Sequence, residues 1–252
     1  PMIEQTRIAM VTGAANGLGA AYAKRLAADG FRIAVVDILP ADETAQAIIA
    51  AGGEARSYLC DVAQAGQIDA MFGKVADEMG TVDALVNNAG IYTFTPHEQM
   101  NFETWRRIMS INLDGMLLLT QAALPAMKEK GWGRIINIAS NSCFLAPPGL
   151  SAYVASKCAS IGYVQSLSGE VGQYGVTVNA VAPGPTVTKG TRADFPDEAS
   201  FMQFMEGFLK DQAIKKISLP EYSASVVSFF ASDEAHFVTG QVLVVDGGFA
   251  KH

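Results

Sequence analysis

Cysteine is scarce in this 252-residue chain: Cys60, Cys143 and Cys158 make an odd number, with no Cys-x-x-Cys or Cys/His spacing. That excludes a disulfide framework and a cysteine-based metal site, and it fits free thiols used as small core hydrophobes in a reducing compartment. Blocks of one charge sign are also missing. Eighteen Lys and Arg stand against 25 Asp and Glu, a net charge of −7 without long like-charge runs, so a nucleic-acid surface is not expected. No apolar run approaches the roughly 18 residues of a membrane span. The opening stretch Pro1–Thr6 has no basic flank leading into an apolar signal segment. These absences lead us to expect a soluble, cytoplasmic protein that binds neither membrane nor nucleic acid. Linkers rich in Pro, Gly and Ser, internal repeats and low-complexity segments are absent as well, which favours one domain over residues 1–252.

Half of the residues are hydrophobic and 24 are glycine, enough to bury a large core without metals. Near-continuous apolar runs recur at Ile8–Val11, Ile33–Asp37, Ala84–Asn87, Ile135–Ala139, Val176–Ala182 and Val242–Val245, with a weaker one at Ala55–Leu59. Such runs suit parallel strands covered on both faces. Between them, apolar residues recur at three- and four-residue intervals in Leu18–Asp29, Ala41–Ala51, Ile68–Met79, Phe102–Lys130, Tyr153–Tyr174 and Tyr222–Ser232, as helices require. Regular alternation of strand and helix predicts an α/β fold: a single-domain, Rossmann-type, doubly wound parallel sheet with helices on both faces. Pro183–Leu219 breaks the rhythm, with Pro183-Gly184-Pro185 leading into a 186–219 insertion that carries Phe195, Phe201, Met202, Phe204, Met205 and Phe208. An insertion after a strand's carboxyl end lies where ligands bind in open α/β sheets, so it is either a substrate lid or a surface helix pair.

Directly after the first strand, Gly13, Gly17 and Gly19 punctuate a loop that carries Asn16 and Leu18 into a helix. Glycine lets this backbone turn and approach a pyrophosphate, whose charge the helix N-terminus favours. Asp37 ends the second strand eighteen residues beyond Gly19, where a carboxylate accepts from the adenosine ribose hydroxyls. It repels a 2′-phosphate, and no adjacent Arg or Lys is present to pair one, so NAD is the expected cofactor.

Tyr153 and Lys157 are four apart at a helix start, hence on one face, and Ser140 ends a strand thirteen residues upstream. A phenol titrates near 10, too high for an efficient base at neutrality, and a neighbouring ammonium stabilises the phenolate. The three side chains therefore read as a base, a cation that tunes it, and a hydroxyl that holds a substrate oxygen.

Together these motifs resemble the short-chain dehydrogenase/reductase family. The resemblance runs from the glycine loop through Asp61, Asn87-Asn88-Ala89-Gly90, Asn112, Ser140, Tyr153-x-x-x-Lys157 and Pro183-Gly184 to Val245-Asp246-Gly247-Gly248, almost the whole chain. It implies hydride transfer between a nicotinamide and a carbonyl or alcohol carbon, usually in a homotetramer or dimer. It also implies a tetrad of Asn112, Ser140, Tyr153 and Lys157. In that tetrad Lys157 holds the nicotinamide ribose and Asn112 a water. Asp61 and Val62 are assigned to the adenine region, and Asn88, Ala89 and Gly90 to the adenosine ribose. Pro183, Gly184, Thr186, Val187 and Thr188 are assigned to the carboxamide. Pro185-Thr186 departs from the family's commonest pattern, leaving open which group after Gly184 holds the amide.

Substrate recognition is expected from apolar residues around these loops: Tyr92, Phe94, Ser142, Cys143, Phe144, Leu145, Pro147 and Leu150, with Phe201, Met202, Met205 and Phe208 from the insertion. Such a lining suits a hydrophobic or aromatic secondary alcohol and its ketone. Within the family, Gly131–Asn137 and the Asp246-Gly247-Gly248 ending are similar to bacterial dehydrogenases of aryl-alkyl alcohols and pyridoxal-like heteroaromatics. The alternatives are a 3-oxoacyl-carrier-protein reductase, disfavoured by Asp37 and the acidic balance, a polyol dehydrogenase, and an NAD-binding sensor without turnover, disfavoured by the intact tetrad. Surplus apolar positions on the long helices, such as Met116–Leu119, Ile161, Val164 and Leu167, predict subunit pairing. No metal is expected.

Overall fold

A computed structural model describes residues 6–251. The reading of Pro1–Thr6 therefore lies, apart from Thr6, outside the described residues. Strand β1 (Ile8–Thr12) leads into α1 (Gly17–Ala28), β2 (Arg32–Asp37), α2 (Asp42–Ala50), β3 (Ala55–Leu59), α3 (Ala65–Glu78) and β4 (Ala84–Asn87). The chain continues through α4 (Phe102–Met109), α5 (Gly115–Lys130), β5 (Gly133–Ile138), α6 (Ser142–Leu145), α7 (Ser151–Val171) and β6 (Val176–Pro183). Helices α8 (Lys189–Ala193), α9 (Glu198–Gly207) and α10 (Pro220–Ala231) precede β7 (Val242–Val245). The strands form one parallel sheet in the order β3-β2-β1-β4-β5-β6-β7.

Alternate side chains of one strand feed opposite cores, which is why the runs are apolar throughout. Ile8 and Met10 of β1 join a core with Ile135, Leu119 and Val164, whereas Ala9 and Val11 join one with Tyr22, Leu26 and Phe230 on the other face. Covering both faces shields every rung of the sheet from water. Among the described residues no helix is long and apolar enough to cross a membrane.

The expected single helix over Phe102–Lys130 is not continuous. Between α4 and α5 the backbone widens into a π-helical turn at Ser110–Asp114. A single wide turn of this kind leaves the apolar spacing on either side intact, so periodicity does not register it. The turn is fixed by what Asn112 does: its Oδ1 accepts the Ile91 N–H at 2.8 Å, and its Nδ2 donates to the Ile91 carbonyl at 2.9 Å and to Ser156 Oγ at 3.0 Å.

The order of strand addition reverses between β1 and β4: successive strands are laid outward to β3 on one side and to β7 on the other, all parallel. The loops after the carboxyl ends of β1 and β4 diverge there and open a crevice, where ligands of such sheets bind. The 186–219 insertion rises beside it, tied at its base by Val187 N–H donating to the Ser218 carbonyl at 3.0 Å.

Candidate active site

The crevice holds a cleft of about 920 Å³ that runs across the carboxyl edge of the sheet. At its β1–β2 end, Gly13, Asn16, Gly17, Leu18 and Gly19 form one wall and Asp37, Asp61 and Val62 another. The glycine loop is too tight for side chains: a Cβ on Gly19 would stand 2.2 Å from the Gly13 carbonyl oxygen, and one on Gly13 2.9 Å from Ala89 Cα. Asn88 holds this loop from the β4 side, its Nδ2 donating to the Thr12 and Gly13 carbonyls at 2.9 and 3.1 Å. Asn16, the α1 N-cap, makes no side-chain capping bond, so first-turn N–H groups remain available to an anion. Asp37 is anchored by the Ala15 N–H at 2.9 Å and the Leu39 N–H at 3.0 Å. A narrow glycine cradle, open helix amides and a fixed carboxylate at the next strand's end together fit a dinucleotide.

Asp61, Val62, Asn88, Ala89, Gly90, Pro183, Gly184, Thr186 and Thr188 line the same cleft, so the structure brings the expected cofactor residues together. Val187 is outside it, and its N–H donates to the Ser218 carbonyl. Thr188 N–H is likewise taken by Thr191 Oγ1 at 2.9 Å. Buried Thr186 donates its hydroxyl to the Gly184 carbonyl at 2.9 Å.

Helix α7 places Tyr153 in its first turn and Lys157 one turn further, both facing the cleft floor. Ser140 follows β5. Its oxygen accepts from Ser142 N–H at 3.2 Å and Ser142 Oγ at 2.9 Å, which leaves its own proton free to donate. Burial pushes the Tyr153 phenol above its ordinary value, and the opposing influence is the Ser140 hydroxyl beside it. Burial also lowers Lys157, to about 8. Its ammonium donates to the Ile138 carbonyl at 2.6 Å and lies 5.9 Å from the Tyr153 ring centroid. Ser140 is thus a second group that favours the phenolate, beside the Lys157 ammonium. Asn112 and Lys157 converge on Gly90, where a Cβ would lie 3.2 Å from Asn112 Oδ1 and 3.3 Å from Lys157 Nζ. Behind them a cavity of about 10 Å³, lined also by Asn87 and Asn137, has room for about one water.

At the β5–β6 end the lining turns aromatic. Tyr92, Phe94, Ser142, Leu145, Pro147, Leu150 and Phe208 line it as expected from sequence, joined by Asp194, Phe195, Phe204 and Phe249. Five of the expected substrate residues, Cys143, Phe144, Phe201, Met202 and Met205, do not line it. Met205 is buried at 2% exposure and shares the inner face of α9 with Phe201, and Met202 is also off the cleft. Phe144 packs against the core, and Cys143 lies against Cys158, whose thiol points to the Cys143 carbonyl at 3.9 Å. Phe195, Phe204 and Phe249 were missed. Phe204 and Phe208 repeat at four residues just as Phe201 and Met205 do, and spacing does not say which stripe faces inward.

Phe249 is held by a buried carboxylate. Asp246, 3% exposed, accepts N–H groups of Gly248, Phe249 and Ala250 at 2.8–3.0 Å and Asn141 Nδ2 at 3.0 Å. Replacing Asp246 by Ala strands these donors, and the expected loss is roughly 3 kcal/mol of unfolding free energy in urea titration. An unchanged midpoint would show that the turn is held by other contacts.

A family model described as enoyl-(acyl carrier protein) reductase matches residues 13–250. The chain is 36% identical to a D-beta-hydroxybutyrate dehydrogenase of Rhizobium meliloti, over 97% of this chain and 98% of that one. It is 39% identical to a short-chain dehydrogenase/reductase of Armillaria gallica, over 98% and 97% respectively. Among solved structures, a gluconate 5-dehydrogenase from Burkholderia cenocepacia in complex with NADP and tartrate superposes with a TM-score of 0.88 at 32% identity, covering 96% of this chain and 94% of that one.

Proposed function

The chain belongs to the short-chain dehydrogenase/reductase family, and we propose that it oxidises hydrophobic or aromatic secondary alcohols with NAD and reduces the corresponding ketones with NADH. Members of this family are oxidoreductases of CH–OH donors that use a nicotinamide cofactor, and this chain is one of them. The observation that carries the substrate reading is that Tyr92, Phe94, Phe195, Phe204, Phe208 and Phe249 line the same cleft as Ser140 and Tyr153, Tyr92 meeting the Tyr153 ring directly. A bound nicotinamide supplies the hydride acceptor or donor. In oxidation Ser140 donates a hydrogen bond to the substrate oxygen, and Tyr153, as the phenolate, takes the hydroxyl proton; in reduction the phenol gives that proton back. Lys157 holds the nicotinamide ribose, Asn112 fixes the Ile91 loop beside it, and the 186–219 segment closes over the aromatic wall.

Asp37 supports NAD. Its carboxylate is pinned at the end of β2 by two backbone amides, and its neighbours Ile38 and Leu39 offer no cation for a 2′-phosphate. Juxtaposing like charges costs several kcal/mol, so a preference for NAD over NADP of about a hundredfold in kcat/KM is expected. The test is initial-rate kinetics with 1-phenylethanol and each cofactor. Because burial keeps Tyr153 a phenol, oxidation should quicken from pH 7 to 9 as the small phenolate fraction grows, while ketone reduction, which uses the phenol, stays level. Turnover confined to NADP and a 3-oxoacyl thioester would instead establish a 3-oxoacyl-carrier-protein reductase. Exposed Phe102 and Leu117 on α4 and α5 support a homo-oligomer, the tetramer being favoured.

A further inference from the structure

The substrate end of the cleft is polarised as well as aromatic. Among the described residues that line it, the carboxylates are Asp37 and Asp61 at the adenosine end and Asp194 at the end of α8. Tyr92 joins Asp194 to the reaction centre: its hydroxyl donates to Asp194 Oδ2, and its ring meets Tyr153 edge-on with centroids 5.8 Å apart. Phe94 stands against the same tyrosine at 6.0 Å. Beside Asp194, Phe195 packs on Phe204 at 4.9 Å, Phe204 on Phe208 at 4.9 Å, and Phe208 on Phe249 at 5.8 Å.

Counter-charge for an anionic substrate is missing here. The lining cations among the described residues are Lys157 and Arg107. Lys157 is turned to the Ile138 carbonyl. Arg107 lies one turn before Ile111, which flanks Val62 on the adenosine side. Arg192, two residues from Asp194, is engaged by Glu198 at 2.5 Å and does not neutralise it. Ring faces with a carboxylate at their rim attract an organic cation through the ring quadrupole and the ion pair together.

We propose that Asp194 and the surrounding rings select substrates carrying a protonated amine near the carbinol, that is, aryl amino alcohols and their amino ketones. The proposal rests on the aromatic-alcohol reading above and narrows it. In the oxidation the carbinol C–H leaves as hydride to the nicotinamide and the O–H proton goes to Tyr153, so an amino alcohol yields an amino ketone. The ammonium, unchanged, stays on Asp194.

The experiment compares 2-amino-1-phenylethanol with 1-phenyl-1-propanol, which replaces the ammonium by a methyl of similar size. The expected kcat/KM ratio favours the amine by about tenfold at pH 7, and Asp194→Asn, which keeps an acceptor for Tyr92, should bring that ratio to about one. Independently of turnover, benzyltrimethylammonium should bind the wild-type protein in calorimetry and bind Asp194→Asn about tenfold more weakly. A ratio at or below one in the wild type, or cation affinity unmoved by Asp194→Asn, overturns the amine selectivity while leaving the aromatic-alcohol reading in place. Turnover of neither alcohol, with polyols or hydroxy acids oxidised instead, overturns both.

Discussion

Tyr153→Phe should lower kcat by roughly three orders of magnitude, within the range spanned by loss of a positioned general acid–base group. Removing one oxygen leaves the ring in place, with its edge contact to Tyr92 at 5.8 Å, so the cleft keeps its shape. The glycine loop, Asp37 and Asn88 are remote from that oxygen, so NADH should bind the variant with the wild-type dissociation constant, read from fluorescence titration. This pairing of lost turnover with kept affinity identifies a proton-transfer role. Equal losses in both would mean that the phenol supports the cleft rather than the chemistry. Retained turnover would place the base elsewhere, and the sensor reading would return only if turnover were undetectable in the wild type as well.

Much of the fold was legible because its period is coarse. A strand covered on both faces is apolar at nearly every position, and the runs at Ile33–Asp37 and Val176–Ala182 correspond closely to β2 and β6. The carboxyl ends of β1, β2, β4, β5 and β6 lie on one edge by parallel register, so residues just after those runs had to converge. That is why Gly13, Asp37, Asn88, Ser140 and Gly184 could be gathered without coordinates.

What stayed hidden depends on rotation rather than order. A π-helical turn of five residues at Ser110–Asp114 re-aims Asn112 without altering composition on either side. On α9, two stripes of equal apolarity compete. Phe201 and Met205 take the inner face at 1% and 2% exposure, leaving Phe204 for the cleft, and only tertiary packing decides between them. Phe249 was invisible for another reason: a residue three beyond Asp246 enters the cleft because that buried carboxylate gathers three consecutive-turn amides. Lys157 shows the same limit in its chemistry, since spacing placed it beside Tyr153 but did not reveal the Ile138 carbonyl that claims its ammonium.

That last contact leads to the second large effect, in which activity and stability move in opposite directions. Lys157 is 5% exposed, and burial lowers it from 10.5 to about 8. Below pH 8 the folded protein must keep a charged amine out of water, whereas the unfolded chain does not. The unfolded state binds more protons between about 8 and 10.5, so the cost is full below that window and fades as pH rises through it. The penalty is roughly 3 kcal/mol, offset by ~1 kcal/mol from the hydrogen bond to Ile138. Lys157→Met removes both and fills the space with a similar apolar chain. At pH 7 its melting temperature should therefore rise by roughly 5 °C, and the gain should vanish near pH 10. Turnover should fall by roughly a thousandfold at every pH, because the ribose loses its holding group and the phenolate loses its nearest cation. Calorimetric scans at pH 7 and 10 beside initial rates separate the two effects. A variant less stable than wild type at pH 7 would mean that the ammonium is fully compensated by its surroundings, and that this lysine is kept for the fold as well as for the reaction.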